Sequence, residues 1–213
     1  MPAKFRNNGE ACTAANRFYV HASVAEEFTA RLVERTESLR VGAGIAEGTT
    51  MGPMIGAEAV EGIEELVADA VERGARVLTG GRRPEPGELP AENAEGFFYL
   101  PTVLADVPAD ARLTREEIFG PVAPIIVMDD VEAMVRAAND TEFGLMSYVV
   151  GENLAEVTEV AGRIEAGMVA VNLGVASDAA APFGGVKESG LGREGSHEGL
   201  AEYLETTYVR LPL

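Results

Sequence analysis

The sequence predicts an α/β fold with a mostly parallel sheet flanked by helices. Short apolar runs, typical of buried strands, alternate along the chain with longer segments whose apolar residues recur at helical spacing. This alternation is the pattern of a parallel sheet joined by helical crossovers. The chain has 213 residues, 46% of them hydrophobic, which is enough to bury a core without a metal or disulfide.

The first predicted helix begins at Ser23, because Glu26 three residues later completes a capping box. We expect it to continue to about Arg40. Its inward face is formed by four apolar residues, Val24, Phe28, Leu32 and Leu39. A second helix is predicted over residues 58–73, and Gly74 ends it. Its inward face comprises Val60, Ile63, Val67 and Val71.

Short apolar runs along the rest of the chain are predicted as strands, at 17–21, 76–79, 98–104, 123–128, 147–150 and 168–171. Two further helical stretches, 131–138 and 154–164, lie among the later strands. Residues 82–96 are rich in Pro, Glu and Gly, a composition that predicts an exposed loop.

The C-terminal part of the chain departs from this alternation. Residues 173–199 are rich in glycine and predict a long ordered loop, which is usually functional when it interrupts a domain. Residues 203–213 alternate in the manner of a terminal strand with an uncovered edge. Because such edges commonly pair with another chain, we expect a homo-oligomer that assembles through this C-terminal oligomerisation strand.

Charge and composition exclude several classes of function. The chain carries 17 Lys and Arg against 35 Asp and Glu, a net charge of -18, which disfavours binding to nucleic acid. No apolar run is long enough to span a membrane, and the start lacks the apolar core of a signal peptide, so we expect a cytoplasmic protein. One cysteine excludes an internal disulfide and four-thiolate metal sites.

That cysteine, Cys12, precedes the predicted strand at 17–21. A lone cysteine is often a small buried apolar residue of the core. The small residues around this one, such as Gly9 and Ala11, also leave room for a substrate beside a thiolate nucleophile. A cysteine hydrolase would further need a histidine base, for which the candidates are His21 and His197. Composition and spacing leave these alternatives open.

Four motifs resemble those of one family. The stretch from Phe5 through Gly9, Glu10 and Cys12 to Asn16 resembles the active-site cysteine signature of the NAD(P)-dependent aldehyde dehydrogenases. Residues 116–122, 182–185 and 188–194 resemble further motifs of that family, in the same order. Within the family, residues 4–7, 139–145 and 190–196 are most similar to succinate-semialdehyde dehydrogenases.

The resemblance implies the fold of the family's catalytic domain and a mechanism. Cys12, as a thiolate, would attack the aldehyde, and its own backbone N–H would help to hold the oxyanion. NAD or NADP would accept the hydride, and water would release the acid from the resulting thioester. By the same resemblance, Glu117 would hydrogen-bond the nicotinamide ribose and Phe119 would position the nicotinamide ring.

The resemblance also assigns substrate contacts. Arg6 and Ser177 match the positions that bind the distal carboxylate of succinate semialdehyde. An arginine six residues before the nucleophile suits a bidentate contact with a carboxylate. Ala14 occupies the position where some relatives carry a second cysteine, so we expect no thiol-based redox switch.

Residues 190–195 also fit the pattern G-x-G-x-x-G. As a dinucleotide-binding fingerprint this pattern needs a strand before it and a βαβ unit with an acidic residue about 20 positions on. Too little chain follows Gly195, and a loop precedes the motif, so we expect it to be structural.

We therefore predict a catalytic cysteine domain over residues 1–198 and a C-terminal oligomerisation segment over 199–213. Family members are longer, and the N-terminal cofactor-binding domain is expected to be absent from this sequence. The chain alone is then expected to be inactive. An alternative is a non-catalytic assembly module that pairs with a full-length homologue through its terminal strand.

Overall fold

The computed structural model describes residues 1–90, 93 and 95–212, and these form two units, Met1–Asp140 and Thr141–Leu213. Part of the predicted loop at 82–96, and the last residue of the predicted terminal strand, lie outside the described residues. The predicted functional boundary at residue 198 differs from this structural division and stays a prediction.

The first unit contains a four-stranded sheet. The strands are β1 Phe18–His21, β2 Arg76–Thr79, β3 Thr102–Ala105 and β4 Val122–Met128. Their order in the sheet is β1-β4-β3-β2. β4 is parallel to both β1 and β3, whereas β2 pairs antiparallel with β3. The predicted mostly parallel sheet is therefore confirmed, with β2 as an antiparallel edge. The helices are α1 Pro2–Phe5, α2 Ala22–Glu37, α3 Ala57–Glu72 and α4 Val131–Asn139, and 3₁₀ turns span Arg6–Gly9 and Arg112–Thr114.

Two apolar clusters cover the two faces of this sheet. Val103 and Ala123 belong to the cluster that includes Leu32 of α2, whereas their neighbours Leu104 and Val122 belong to the cluster that includes most of the buried α3 side chains. Successive residues of a strand point to opposite faces, so one strand serves both clusters. Burial on both faces explains why the central strands are continuous apolar runs.

Helix α2 begins one residue before the predicted start. The ring nitrogen of His21 accepts a hydrogen bond from the Ser23 backbone N–H at 3.2 Å, so His21 is the N-cap and the predicted Ser23 capping box is wrong. The helix also ends at Glu37, before the predicted Arg40. Val24 and Val71 were predicted to face inward, but they are 52% and 44% exposed. Each lies in a terminal turn of its helix, where the buried face ends.

The strand predicted over 98–104 is shorter than expected, because β3 begins only at Thr102. Proline at position 101 has no N–H to donate to a ladder, and β3 begins at the residue that follows it. Phe98 and Tyr99 are nevertheless buried, at 5% and 2% exposure, so their apolar character reflects core packing outside the sheet.

The second unit contains a parallel pair, β5 Met146–Val149 and β6 Met168–Val171, joined through α5 Leu154–Ala161. This βαβ unit was predicted, although α5 ends three residues before residue 164. A 3₁₀ turn follows at Lys187–Ser189, and α6 spans Ser196–Ala201. His197, predicted in a loop, lies in the first turn of α6.

The predicted terminal strand is not observed. Residues 204–212 have no regular secondary structure, and all of them are exposed. A strand needs a neighbour to satisfy its backbone groups, and no strand of the described chain pairs with this segment. Pairing with another subunit therefore stays a prediction. Among the residues that the structure describes, no helix is long and apolar enough to cross a membrane.

Candidate active site

Cys12 lies at the corner of a tight turn and is exposed. The Ala14 N–H donates to the Ala11 carbonyl at 2.8 Å and closes the turn, and the Ala15 N–H donates to the Ala3 carbonyl at 2.7 Å and closes the wider loop. An exposed thiol at a turn is incompatible with the alternative of a buried core cysteine. Among the described residues, the Cys12 backbone N–H makes no hydrogen bond, so it remains available to a substrate oxygen.

Left-handed backbone turns the chain just before the nucleophile. Asn7, Asn8 and Gly9 have φ values of 51°, 59° and 76°. Two consecutive non-glycine residues in this region are uncommon, and such strain persists only where surrounding contacts impose it. The contacts here include the Asn8 amide, which donates to the Pro53 carbonyl at 2.7 Å and accepts from the Gly52 N–H at 3.1 Å.

A second contact ties the same loop to residues 52–55. The Glu10 carboxylate accepts a hydrogen bond from the Ile55 N–H at 3.0 Å. Asn8 and Glu10 thus hold the cysteine loop through residues more than 40 positions away in sequence. These bonds fix the chain at positions four and two residues before Cys12.

On its other side, the cysteine loop is held to residues 113–118 by the side chain of Asn16. Its amide nitrogen donates to the carbonyls of Leu113 at 3.1 Å and Glu116 at 2.9 Å. Its amide oxygen accepts from the Ile118 N–H at 2.8 Å. One side chain therefore makes three hydrogen bonds to the segment that contains Glu117.

Gly9 and Gly120 bring the same two segments into direct contact. A Cβ atom on Gly9 would lie 2.2 Å from the Gly120 carbonyl oxygen, so only glycine permits this approach. The preceding residue, Phe119, has a left-handed φ of 45° and an aromatic ring that is 43% exposed. Glu117 is also exposed. The structure thus holds the predicted cofactor residues Glu117 and Phe119 on a loop adjacent to the Cys12 loop.

Lys4 is a buried cation close to this contact. It is only 2% exposed, and burial lowers the pKa of its ammonium group to about 7, an effect that the Glu117 carboxylate opposes. Burial of a lysine beside the cysteine loop is a feature that the sequence alone did not indicate.

Arg6, the predicted carboxylate ligand, is exposed but anchored. Its Nη2 donates to the Thr13 hydroxyl at 3.0 Å. Thr13 is 8% exposed and directly follows Cys12. The guanidinium is therefore hydrogen-bonded to the residue next to the proposed nucleophile.

Ser177, the other predicted carboxylate ligand, belongs to the second unit, where it lies exposed in the segment after β6. The structure therefore brings Arg6, Cys12, Glu117 and Phe119 onto adjacent loops of the first unit, and Ser177 onto a loop of the second.

Neither histidine is hydrogen-bonded to Cys12 within the part of the chain that the structure describes. The His21 ring bonds the Ser23 hydroxyl at 2.8 Å and caps α2. The cysteine-hydrolase alternative thus gains no support. No cluster of three or more potential metal ligands occurs among the described residues.

The G-x-G-x-x-G pattern at 190–195 follows a 3₁₀ turn rather than a strand, as expected for a structural loop. The side chain of Arg193 in this pattern donates to the carbonyls of Gly185 and Gly192, each at 2.7 Å. These bonds stabilise the loop itself.

The residues that received no role from the sequence include Lys4, Asn8, Thr13 and Asn16. Asn16 belongs to the cysteine signature, but its partners lie about 100 positions away, so nothing local indicates its role. The spacing of Arg6 and Thr13 gave no signal for their contact, because the left-handed residues 7–9 break any helical relation between them.

Comparisons with known proteins agree with the four motifs. A model described as "Aldehyde dehydrogenase family" matches residues 1–209. A probable succinate-semialdehyde dehydrogenase [NADP(+)] of Sinorhizobium fredii is 47% identical over 209 residues, 98% of this chain and 41% of that protein. A glutarate-semialdehyde dehydrogenase of Pseudomonas putida is 44% identical over 207 residues, 97% of this chain and 41% of that protein.

The fold agrees as well. A crystal structure of succinate-semialdehyde dehydrogenase from Burkholderia pseudomallei superposes with a TM-score of 0.88 at 45% identity, covering 94% of this chain and 40% of that one. The predicted fold class is thereby confirmed. The chain spans about two fifths of the length of these relatives. By its matched model, its identity to these relatives and its fold, the chain belongs to the aldehyde dehydrogenase family.

Proposed function

We propose that this chain supplies the nucleophile of an NAD(P)-dependent aldehyde dehydrogenase whose substrate carries a carboxylate at its far end, with succinate semialdehyde as the first candidate. The observation that carries the proposal is the exposed thiol of Cys12 beside Thr13, which anchors the Arg6 guanidinium. The relatives from S. fredii and P. putida are named for semialdehydes, which supports an anionic aldehyde.

In the proposed reaction, the Cys12 thiolate forms a bond to the aldehyde carbon, and the carbonyl oxygen takes the negative charge. The backbone N–H of Cys12 donates a hydrogen bond to that oxygen and stabilises the tetrahedral adduct. Bound NAD or NADP supplies the acceptor for the hydride that leaves this carbon. A thioester then remains on Cys12, and water adds to it, releasing the carboxylic acid and the Cys12 thiol. Loss of the thiol proton to water restores the thiolate.

Glu117 and Phe119 fit a role at the nicotinamide end of the cofactor. An exposed carboxylate can accept hydrogen bonds from ribose hydroxyls, and an exposed ring offers a flat apolar face to a nicotinamide. The strained backbone of Phe119 is typical of a functional position. The close approach of Gly9 to Gly120 keeps these groups near the thiol loop.

For the substrate, we propose that Arg6 binds the distal carboxylate and that Ser177 adds a hydrogen bond. A guanidinium has five N–H donors, and the bond to Thr13 uses one of them. The remaining donors are sufficient for a bidentate contact with a carboxylate, the arrangement that gives strong and directional binding.

We further propose that hydride transfer requires a dinucleotide-binding part beyond these 213 residues, so that the chain alone does not turn over. The cytoplasm stays the predicted location.

The second candidate function, a non-catalytic assembly module, is favoured by the exposed apolar C-terminal segment, which includes Leu204, Tyr208, Val209 and Leu211. Under either function, we propose that this segment pairs with another subunit.

The test measures how well an aldehyde, by adding reversibly to the Cys12 thiol, protects that thiol from alkylation by iodoacetamide. Because the chain has a single cysteine, one iodoacetamide adduct by intact mass reports on Cys12 alone. Succinic semialdehyde is compared with butyraldehyde, a neutral aldehyde of the same chain length. A charge-assisted contact predicts half-protection at a concentration at least about tenfold lower for the anionic aldehyde.

Two variants complete the test. Arg6→Gln is expected to abolish the preference, since the amide keeps polarity but loses the charge. Cys12→Ser should show no adduct and verifies the readout. Equal protection by both aldehydes in the parent chain, or an undiminished preference in Arg6→Gln, would contradict the proposed substrate class.

A further inference from the structure

The hydrogen bond between Arg6 and Thr13 links a proposed substrate ligand to the residue beside the nucleophile. The guanidinium Nη2 lies 3.0 Å from the Thr13 hydroxyl oxygen. The arginine is exposed, whereas Thr13 is 8% exposed. A buried hydroxyl therefore holds the end of a long, exposed side chain.

Such an anchor matters because a free arginine side chain is highly mobile. Ordering it on ligand binding costs conformational entropy, and a side chain that is already ordered avoids that cost. The anchor also leaves most of the guanidinium donors available. An anchored Arg6 is thus prepared for a carboxylate in a way that an unanchored one is not.

The backbone gives the anchor a defined relation to the thiol. Cys12 and Thr13 occupy the two central positions of the turn closed by the Ala14 N–H to Ala11 carbonyl bond of 2.8 Å. The left-handed residues 7–9 fold the chain back between Arg6 and this turn. A guanidinium bonded to Thr13 is consequently held beside the turn that carries the Cys12 thiol.

We propose that Thr13 is a positioning residue for anionic substrates: its hydroxyl fixes the Arg6 guanidinium relative to the Cys12 thiol, and so favours aldehydes with a carboxylate on the far end. The proposal rests on the proposed function, in which Arg6 binds that carboxylate. Thr13 itself does not contact the substrate in this account.

The experiment applies the protection assay to Thr13→Val, which keeps the shape of the side chain but lacks the hydroxyl, and to Thr13→Ser, which keeps the hydroxyl. The quantity measured is the ratio of half-protecting concentrations of butyraldehyde and succinic semialdehyde within each variant, so changes in thiol reactivity cancel. We expect the ratio to fall about three- to tenfold in Thr13→Val and to stay within about twofold of the parent in Thr13→Ser.

The outcomes separate the two proposals. If Arg6→Gln abolishes the preference but Thr13→Val retains the parental ratio, the positioning role is refuted while the proposed function stands. If Arg6→Gln itself retains the preference, the carboxylate contact of the proposed function fails. Equal losses in Thr13→Val and Thr13→Ser would also refute the role, because the hydroxyl would then be irrelevant. Thr13→Ala provides a second hydroxyl-free variant should Thr13→Val not fold.

Discussion

Asn16→Ala should destabilise the contact between the cysteine loop and the loop that carries Glu117. The substitution removes three hydrogen bonds of 2.8, 2.9 and 3.1 Å to residues 113–118. The Glu116 carbonyl belongs to an exposed residue and can bond water instead. Leu113 and Ile118 are 0% and 4% exposed, so a carbonyl and an N–H of two buried residues lose their partner in bonds that are part-buried.

An unsatisfied buried polar group costs about 1–3 kcal/mol, so two such groups would cost about 2–6 kcal/mol. Because the two lost bonds are only part-buried, we expect the lower half of this range, a loss of about 2–4 kcal/mol in the free energy of unfolding. Urea titration followed by circular dichroism measures this loss. Hydrogen exchange of the Ile118 amide localises it, because that amide loses its acceptor. Asn153→Ala is the matched control, since Asn153 caps α5 with bonds to Ala155 and Glu156 and its loss costs about 1 kcal/mol.

The reasoning is refuted if Asn16→Ala is no less stable than Asn153→Ala and the exchange of the Ile118 amide is unchanged. That result would mean that the three bonds do not hold the loop and that the backbone of residues 113–120 is fixed by other contacts. The contact between Gly9 and Gly120 would then be the main link between the cysteine loop and the proposed cofactor residues.

Three other predictions concern the same region and the core. Burial lowers the pKa of Lys4 from 10.5 to about 7, so between these pH values the unfolded chain binds more protons than the folded chain, and the free energy of unfolding should rise with pH. Lys4→Met should therefore be more stable than the parent at pH 7. In urea titrations, this difference should shrink by up to about 1.4 kcal/mol per pH unit toward pH 10.5. A pH-independent difference would contradict this. Gly9→Ala should cost more than about 2 kcal/mol because of its φ of 76° and the approach to Gly120, whereas the control Gly62→Ala, in an unobstructed site of α3, should stabilise by about 0.5–1 kcal/mol. Tyr99→Phe should be neutral or stabilising, since the Tyr99 hydroxyl has no hydrogen-bond partner among the described residues. Tyr19→Phe should cost about 1 kcal/mol, because the Tyr19 hydroxyl loses its hydrogen bonds to Arg17 and Ala137. A lower melting temperature for Tyr99→Phe than for Tyr19→Phe would contradict these hydrogen-bond assignments.

The order of strands and helices could be predicted because burial on both faces of a parallel sheet leaves continuous apolar runs in the sequence. The run at 123–128 lies within β4, whose first four residues are buried. The runs at 76–79 and 168–171 coincide with β2 and β6, which are only partly buried and were recognised from their apolar, β-branched residues. The run at 98–104 is only partly a strand, since its first apolar side chains, Phe98 and Tyr99, are buried outside the sheet. Pro101 was the local signal that the strand begins later.

The candidate site was predictable only as far as sequence motifs extend. The motifs contain Cys12, Glu117 and Phe119, and the proposed roles of Arg6 and Ser177 came from the resemblance to succinate-semialdehyde dehydrogenases. The groups that hold these residues were not predictable, because their partners are distant in sequence. Asn8 bonds residues about 45 positions away, and Asn16 bonds residues about 100 positions away. Likewise, nothing next to Lys4 in the sequence indicates that its ammonium group is buried.

We propose that this chain holds the nucleophile of the reaction and that the hydride acceptor is held by residues outside it. A single-turnover measurement tests both parts at once. The purified chain is mixed with succinic semialdehyde and excess NAD or NADP, and the near-ultraviolet absorbance of reduced nicotinamide is recorded. The peptide containing Cys12 is then analysed by mass spectrometry. We predict that the aldehyde protects Cys12 from later alkylation while no reduced nicotinamide forms. Stoichiometric reduced nicotinamide with an acyl group on Cys12 would show that the chain itself holds the dinucleotide, and a Cys12 that the aldehyde does not protect would show that it is not the nucleophile.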